Sequence, residues 1–313
     1  MGILKELKTF IKNPAEYIVY LNQHDNYKNA SKIPDWIYVK AWYKKRTGKT
    51  LHLFYPKELN EKMQWLKIHD RNPEFAGMAD KANAKKYLEK IIGSKYIIPT
   101  LGVWDSFDDI DFDRLPNEFV LKCTHDSGSI VICRDKSSFD IETAKEKLND
   151  RLSRNYFWKK REWPYKDVKP RIIGEPLLKN ANGSPLVDYK FYCYGGKPRY
   201  FMYSLGEAEH NVRNHKFDME LNSIDYKFKE KVALPVSEIH LPDNIGEMIS
   251  IVEKLCSGIQ HIRVDLYNID GKIYAGELTF FSGAGIFNIC SKEYSNELAS
   301  YIDISAVKKK GKR

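Results

Sequence analysis

The sequence predicts an α+β fold: a mainly helical start, then antiparallel hairpins separated by amphipathic helices. Hydrophobic residues recur at helical spacing through about residue 75. Strand pairs with short polar turns follow near residues 119–133, 187–203 and 261–280, and helical periodicity returns between them. With 313 residues the chain can bury a large core, and two lobes or domains are expected. No Gly-rich strand-to-helix turn appears, so the fingerprint of a Rossmann dinucleotide site is absent.

The helical start is read from Leu4, Leu7, Phe10 and Ile11 on one face, and from Pro34 at a first helical position before Trp36, Val39, Ala41 and Trp42. A further helix is expected from Glu58 to about Ile68, with Leu59, Met63 and Leu66 inward. Asp80 suits the N-cap of a helix reaching about Ile92. Tyr96–Trp104 reads as a short strand with an exit turn, and Asp105–Asp113 as a solvated acidic loop.

Phe119-Val120-Leu121-Lys122-Cys123-Thr124 is a strand with one lysine in an apolar run, and Ile130–Cys133 is its return. The small polar loop between them, His125-Asp126-Ser127-Gly128-Ser129, has the make-up of a flap whose backbone N–H groups can cradle phosphate oxygens, although a plain hairpin has it too. Glu142–Arg154 is an amphipathic helix, and Trp158–Lys166, mixing bases with aromatics that can stack on nucleobases or sugars, reads as an ordered surface loop. Ile172–Leu178 ends a strand. Val187–Tyr194 and Arg199–Tyr203 form a hairpin through Gly195-Gly196-Lys197-Pro198, and the polar stretch His210–Asp225 gives no clear signal. Asn244–Gly258 is a helix with Ile245, Met248, Ile251, Val252 and Leu255 inward.

It leads into the most informative stretch, His261–Gly285. Period-2 alternation puts Arg263, Asp265 and Tyr267 on one face of a strand, and Glu277 and Thr279 share a face of the next. The turn Asn268–Gly271 can bring Asp265 and Glu277 side by side. Two carboxylates that close repel, which usually signals a metal ion or a shared proton, and oxygen ligands suit Mg²⁺. From these residues alone a metal site and a solvated charged face stand on equal footing.

The formal charge of +9 implies affinity for anions: phosphates, acidic polysaccharide, anionic lipid or nucleic acid. Part of the excess lies in Lys308-Lys309-Lys310-Gly311-Lys312-Arg313, read as a solvated tail or as a contact for an anionic membrane surface. No run of about 18 apolar residues could span a bilayer. The start MGILKELKTF lacks the apolar core of a secretion signal, and Glu6 spoils a myristoylation match. Cys123, Cys133, Cys193, Cys256 and Cys290 show no Cys-x-x-Cys spacing and read as reduced core residues of a cytoplasmic protein, one that could work at the inner face of the membrane.

Taken in order, Asp80-Lys81, Lys122 in its strand, the Ser-Gly flap, Glu175-Pro176-Leu177-Leu178, Asp188-x-Lys190, Arg263-x-Asp265 and Glu277-x-Thr279 resemble the ATP-grasp superfamily. With Leu59-Asn60-Glu61-Lys62-Met63-Gln64-Trp65-Leu66-Lys67, the series is most similar to the TupA-like branch, named after teichuronopeptide biosynthesis, over roughly residues 52–304. The resemblance implies two α+β lobes, residues 76–178 and 179–304, holding ATP between them, after a helical region (1–75) and before a basic tail (305–313).

By the same resemblance Lys81 and Lys122 hold ATP phosphates, and His125, Ser127, Gly128 and Ser129 belong to the phosphate flap. Glu175, Leu177 and Leu178 form the hinge that reads adenine through its backbone, and Asp188 and Lys190 stand by the ribose. Asp265 and Glu277, with Thr279, hold Mg²⁺, and Arg263 steadies charge on the transferred phosphoryl group. Many relatives carry Asn where Thr279 stands, and a hydroxyl is a poorer ligand, which bears on a second metal position. Lys216 or Arg213 is a candidate further cation.

The implied activity is an ATP-dependent, Mg²⁺-dependent carboxylate–amine ligase working through an acyl phosphate. Its acceptor would be an acidic sugar or surface polysaccharide, its donor an amine such as an amino acid, and nucleic acid is not among the implied partners. A sugar phosphotransferase, a glycosyltransferase and a non-catalytic polysaccharide binder are the alternatives.

Overall fold

The computed structural model describes residues 13–23, 27, 30–206, 212–229 and 234–307, and the backbone of 308–310. The helix expected around Leu4–Ile11 and the end of the basic tail lie outside the described residues. Helices α1 (Pro14–Gln23), α2 (Asp35–Thr47), α3 (Leu59–His69), α4 (Glu74–Ala79) and α5 (Asn83–Ile92) precede the first strand. Pro34 sits one place earlier than expected, outside α2, where its carbonyl accepts from Tyr38 N. The α3 N-terminus is closed by a capping box between Glu58 and Glu61.

A four-stranded antiparallel sheet in the order β1-β4-β2-β3 combines β1 (Gly102–Trp104), β2 (Phe119–Cys123), β3 (Val131–Cys133) and β4 (Ile172–Pro176). Between β3 and β4 lie α6 (Ile141–Leu152), capped by Asp140, and the short α7 (Phe157–Lys160). One face of this sheet, with Phe119, Leu121, Cys123 and Ile172, packs on Ala144 and Leu148 of α6. The second sheet, β7-β6-β5-β8-β9, is also antiparallel. It comprises β5 (Val187–Tyr194), β6 (Lys197–Leu205), β7 (Arg213–Asp218), β8 (His261–Ile269) and β9 (Lys272–Thr279). Helix α8 (Ile245–Cys256) enters β8, and α9 (Lys292–Ser300) and α10 (Ile304–Lys310) follow β9. The apolar face of this sheet, with Phe191, Cys193, Ile262, Val264 and Leu266, packs on Met248, Val252 and Leu255 of α8 in the largest core.

Several expectations are corrected by tertiary contacts. Only Gly102–Trp104 of Tyr96–Trp104 is strand, since Ser94–Tyr96 forms a 3-10 turn and Pro99 has no N–H to offer a ladder. The ambiguous stretch contains β7, an edge strand whose polar look hides a buried His215 and Lys216. Trp158–Lys166 is not a surface loop: Arg161, Glu162, Pro164 and Tyr165 are all buried. Four cysteines are buried and free, while Cys290, expected inside, is exposed.

Candidate functional site

Residues facing each other across paired strands share a sheet face. In the second sheet one crosswise row runs Lys216, Met202, Lys190, Asp265, Glu277, each paired to the next across β7, β6, β5, β8 and β9. Two residues along each strand, the same face carries Asp188, Arg263, Tyr267 and Thr279. The fold therefore gathers on one face the charged residues that the sequence singled out in these strands, Arg213 excepted, while the other face builds the core.

Within that row, Arg263 grips Asp265 with two donors at 2.6 Å each, Nε to Oδ1 and Nη2 to Oδ2, and also reaches Ser282 Oγ at 2.9 Å and Thr279 Oγ1 at 3.2 Å. Lys190 Nζ binds Asp188 Oδ2 and lies 3.5 Å from Asp265 Oδ2. Burial pushes the Asp188 carboxyl up to about 7 despite Lys190, and the charge of Asp265 adds to the rise. Asp188 is in turn the first cause that holds the Tyr267 phenol well above its ordinary value, ahead of burial, Asp265, Glu277 and Glu175.

The last of these comes from the other sheet. Glu175 on β4 and Lys122 on β2 are diagonal neighbours on one face, joined at 2.8 Å, and Lys85 of α5 meets the other Glu175 oxygen at 2.7 Å. The two lysines outweigh burial and hold the Glu175 carboxyl below its usual range. Burial wins instead at Lys85, which is pushed down with help from Lys122 although Glu175 opposes it. Such a crowded cation gains from a further anion.

Four residues before Lys85, Lys81 Nζ lies 3.6 Å from Glu277 Oε1 and donates to the Asp126 carbonyl of the flap. Asp80 fixes this corner. Its Oδ1 accepts from Ala82 N and Asn83 N at 2.8 and 3.1 Å, and its Oδ2 binds Arg171 at 2.9 Å. Asp80 thus caps α5 from two residues further out than the spacing suggested.

The flap side chains divide into two sets. Ser127 and Gly128 are exposed, and Gly128 has φ 91°, a conformation that favours glycine. Ser129 accepts from Cys123 N at 2.9 Å and donates to Asp126, and His125 Nε2 lies 3.2 and 3.0 Å from the carbonyls of Arg151 and Arg154. Those two side chains brace the loop from inside. Leu177 and Leu178 follow β4, half-buried, with Leu177 N facing Glu118 O at 3.5 Å. Arg213 pairs with Glu238 at the surface, whereas Lys216 stands in the charged row, 3.4 Å from Asp225.

Sequence reasoning missed Lys85 and Ser282, and quoted Gln64 and Lys67 within a family motif without giving them a role. Lys85 follows Lys81 by one helical repeat, which was a usable signal. The others had none, because they act through the chain after β9. Gln64 Nε2 and Lys67 Nζ donate to the Ala284 carbonyl at 3.1 and 2.7 Å, holding the loop whose Ser282 touches Arg263.

Mg²⁺ accepts carboxylate oxygens together with substrate phosphates. Among the described residues no group of three or more His, Cys, Asp or Glu side chains could hold a metal unaided. The paired Asp265 and Glu277 fit a shared site. Arg263 takes one lone pair from each Asp265 oxygen and leaves the second, and Glu277 is held only at 3.6 Å by Lys81 and 4.0 Å by Arg263.

A family model described as TupA-like ATP-grasp matches residues 61–303, which takes in both sheets and every site residue named above. The chain belongs to the TupA-like ATP-grasp family. Its α+β architecture, two antiparallel sheets with helices, is the ATP-grasp fold. No curated protein matches it. Among solved structures it is similar to D-alanine–D-alanine ligase from Bacillus anthracis complexed with ATP, at 17% identity and TM-score 0.42 over 87% of this chain and 76% of that one. It is also similar to the ATP-grasp ligase PsnB complexed with a minimal-precursor variant, Mg and ADP, at 10% identity and TM-score 0.42 over 78% and 66% of the two chains. The D-cycloserine synthetase DcsG matches at 13% identity and TM-score 0.40 over 76% and 72%. No helix among the described residues of this TupA-like protein is long and apolar enough to cross a membrane.

Proposed function

We propose that this TupA-like ATP-grasp protein is an ATP-dependent carboxylate–amine ligase acting in the cytoplasm on a carboxylate-bearing cell-surface polysaccharide or its precursor. One observation carries the reading: Lys81 and Lys85, four residues apart, reach carboxylates of different sheets, Glu277 and Glu175. Through them the charged faces of the two sheets are tied together around the start of α5, the place this reading gives to the triphosphate.

In this reading residues 76–178 and 179–304 act as the two lobes. Lys81, Lys85 and Lys122 offset triphosphate charge, and the backbone of Ser127 and Gly128 covers the phosphates. The strand end Glu175–Leu178 offers backbone groups to adenine, and Asp188 and Lys190 face the ribose. Magnesium bound at Asp265 and Glu277, beside Thr279, supplies charge neutralisation at the phosphates. Arg263, fixed by Asp265, Thr279 and Ser282, keeps one Nη1 proton for the transferred group.

An acceptor carboxylate oxygen attacks the terminal phosphorus and ADP departs. An amine then adds to the acyl carbon, phosphate leaves with the acyl oxygen, and the amine loses a proton. The chain's task is positioning, charge compensation and exclusion of water from the acyl phosphate. Mass spectrometry of products from Mg·ATP, uronic acids and an amine pool tests this. An amide with ADP and free phosphate is expected, whereas a phosphorylated acceptor would make the protein a phosphotransferase with the same nucleotide site.

A further inference from the structure

We propose that a cavity on the outer side of the loop after β9 binds the acidic saccharide chain of the acceptor, beyond the carboxylate that reacts. The proposal rests on the ligase reading above and adds where the rest of that substrate lies and what recognises it.

The first observation is the cavity. Its volume is ≈ 490 Å³, within the range of about 300–1,000 Å³ usual for ligand sites. The end of α2, the start of α3, Lys229 and residues 286–289 enclose it. Three cations line it, Arg46, Lys49 and Lys229, against one carboxylate, Glu58. That carboxylate is already taken, since Lys49 Nζ meets its two oxygens at 3.4 and 3.1 Å. Among the described residues Arg46 and Lys229 form no ion pair. Thr47 and Asn288 add a hydroxyl and an amide, so the lining suits an anion rich in hydroxyl groups.

The second observation is what builds the inner wall. Ser282, at the start of the loop, holds Arg263 Nη1 at 2.9 Å, and four residues of chain, at most about 14 Å, lead from it to Ile286. The next residue is pinned: Phe287 N and O bond the Asn60 amide at 2.9 and 3.2 Å, and its ring meets His261 at 5.6 Å. Lys229 N in turn donates to Asn288 O at 3.0 Å. One short, fixed loop therefore has Arg263 at its start and the cavity along its end. A chain reacting beside Arg263 has the cavity within reach of its further sugars.

The third observation is the rim. Lys49 and Glu58 close a loop whose tip, Phe54 and Tyr55, is 83% exposed at each residue. Its limbs are held firmly. Leu51 and Pro56 are buried, and the buried Glu61 carboxylate accepts from His52 N at 3.3 Å, Lys57 N at 2.9 Å and Glu58 N at 3.2 Å. Three residues separate Tyr55 from Glu58 in the cavity lining, a span of at most about 11 Å. Two neighbouring rings held in water on a rigid support offer flat apolar faces at low entropic cost.

A saccharide fits all three features. A membrane surface would meet the rings but leave a concave cavity unfilled. Single-stranded nucleic acid also combines rings with cations, yet it follows a continuous basic groove, and only two cations are free here.

Calorimetric titration of a hyaluronan tetrasaccharide, which alternates glucuronate with a neutral sugar, into the full chain without nucleotide tests the proposal. Arg46→Ala, Lys229→Ala and Phe54→Ala should each weaken binding about fivefold. Lys45→Ala removes the same charge beside Arg46, from a side chain that faces Glu16 rather than the cavity, and should leave binding unchanged. No binding by the parent chain, equal losses in Lys45→Ala and Arg46→Ala, or equally tight binding of uncharged chitotetraose would each overturn it. So would tighter binding of a thymidine hexanucleotide or of phosphatidylglycerol vesicles. Tetrasaccharide binding as expected, with no amide among the products of Mg·ATP turnover, would defeat the ligase reading and leave the site standing.

Discussion

Asp265 stands directly opposite Glu277, and it does so because Gly276 is an extra residue in β9. From the Asp270-Gly271 turn outward the pairs run Ile269 with Lys272 to Leu266 with Ala275; the register then shifts and Asp265 meets Glu277. Without the bulge Asp265 would face Gly276, and Glu277 would fall on the core side, since a one-residue slip reverses every side chain.

Gly276→Ala should therefore damage the site from within the sheet. A Cβ there would stand 2.8 Å from the Tyr267 ring and 3.2 Å from Asp265 O. Overpacking of this kind costs about 1–3 kcal/mol, so a lowered Tm is expected together with at least a tenfold loss of ATP turnover. Normal turnover in the variant would show that the bulge does not set the carboxylate pair.

Glu277→Gln keeps shape and removes charge. The side chain is partly exposed and weakly held, so the fold should survive with its unfolding free energy within about 1 kcal/mol of the parent's, while Mg·ATP turnover is abolished. Retained turnover in a coupled ADP assay would refute the metal assignment.

Lys85→Ala should raise the ATP Kd about tenfold or more, as should Lys122→Ala, because each removes a charged donor from the phosphate wall. If Lys85 only compensates Glu175, its removal would leave nucleotide affinity unchanged, and equilibrium binding separates the two outcomes.

His261 predicts an acid limit. Burial between the rings of Tyr194 and Phe287, with Arg263 nearby, lowers its pKa to about 3 against the opposing pull of Cys193's backbone. Its folded pKa is below the unfolded one, so below the ordinary 6.5 the unfolded chain binds the extra proton. Stability from this residue is intact above pH 6.5 and falls by about 1.4 kcal/mol per pH unit toward pH 3. His261→Phe should flatten Tm against pH across that window. A slope equal to the parent's would place the acid sensitivity elsewhere.

By itself the sequence determined most of the elements and the family. Period-2 alternation put Arg263, Asp265 and Tyr267 on one strand face, the apolar run around Lys122 marked a lysine that must snorkel or meet an anion, and the order of short motifs marked the family. These signals are local, set by side-chain direction along one strand or helix. Tertiary structure alone decided the register at Gly276, the reach of Lys85 to Glu175, and the burial of Arg161 and Glu162 in a stretch that reads as surface. It also turned His125 and Ser129 into the flap and set Gln64 and Lys67 under the loop after β9. Each depends on residues far apart in the chain meeting in three dimensions, and no spacing within one segment encodes such a meeting.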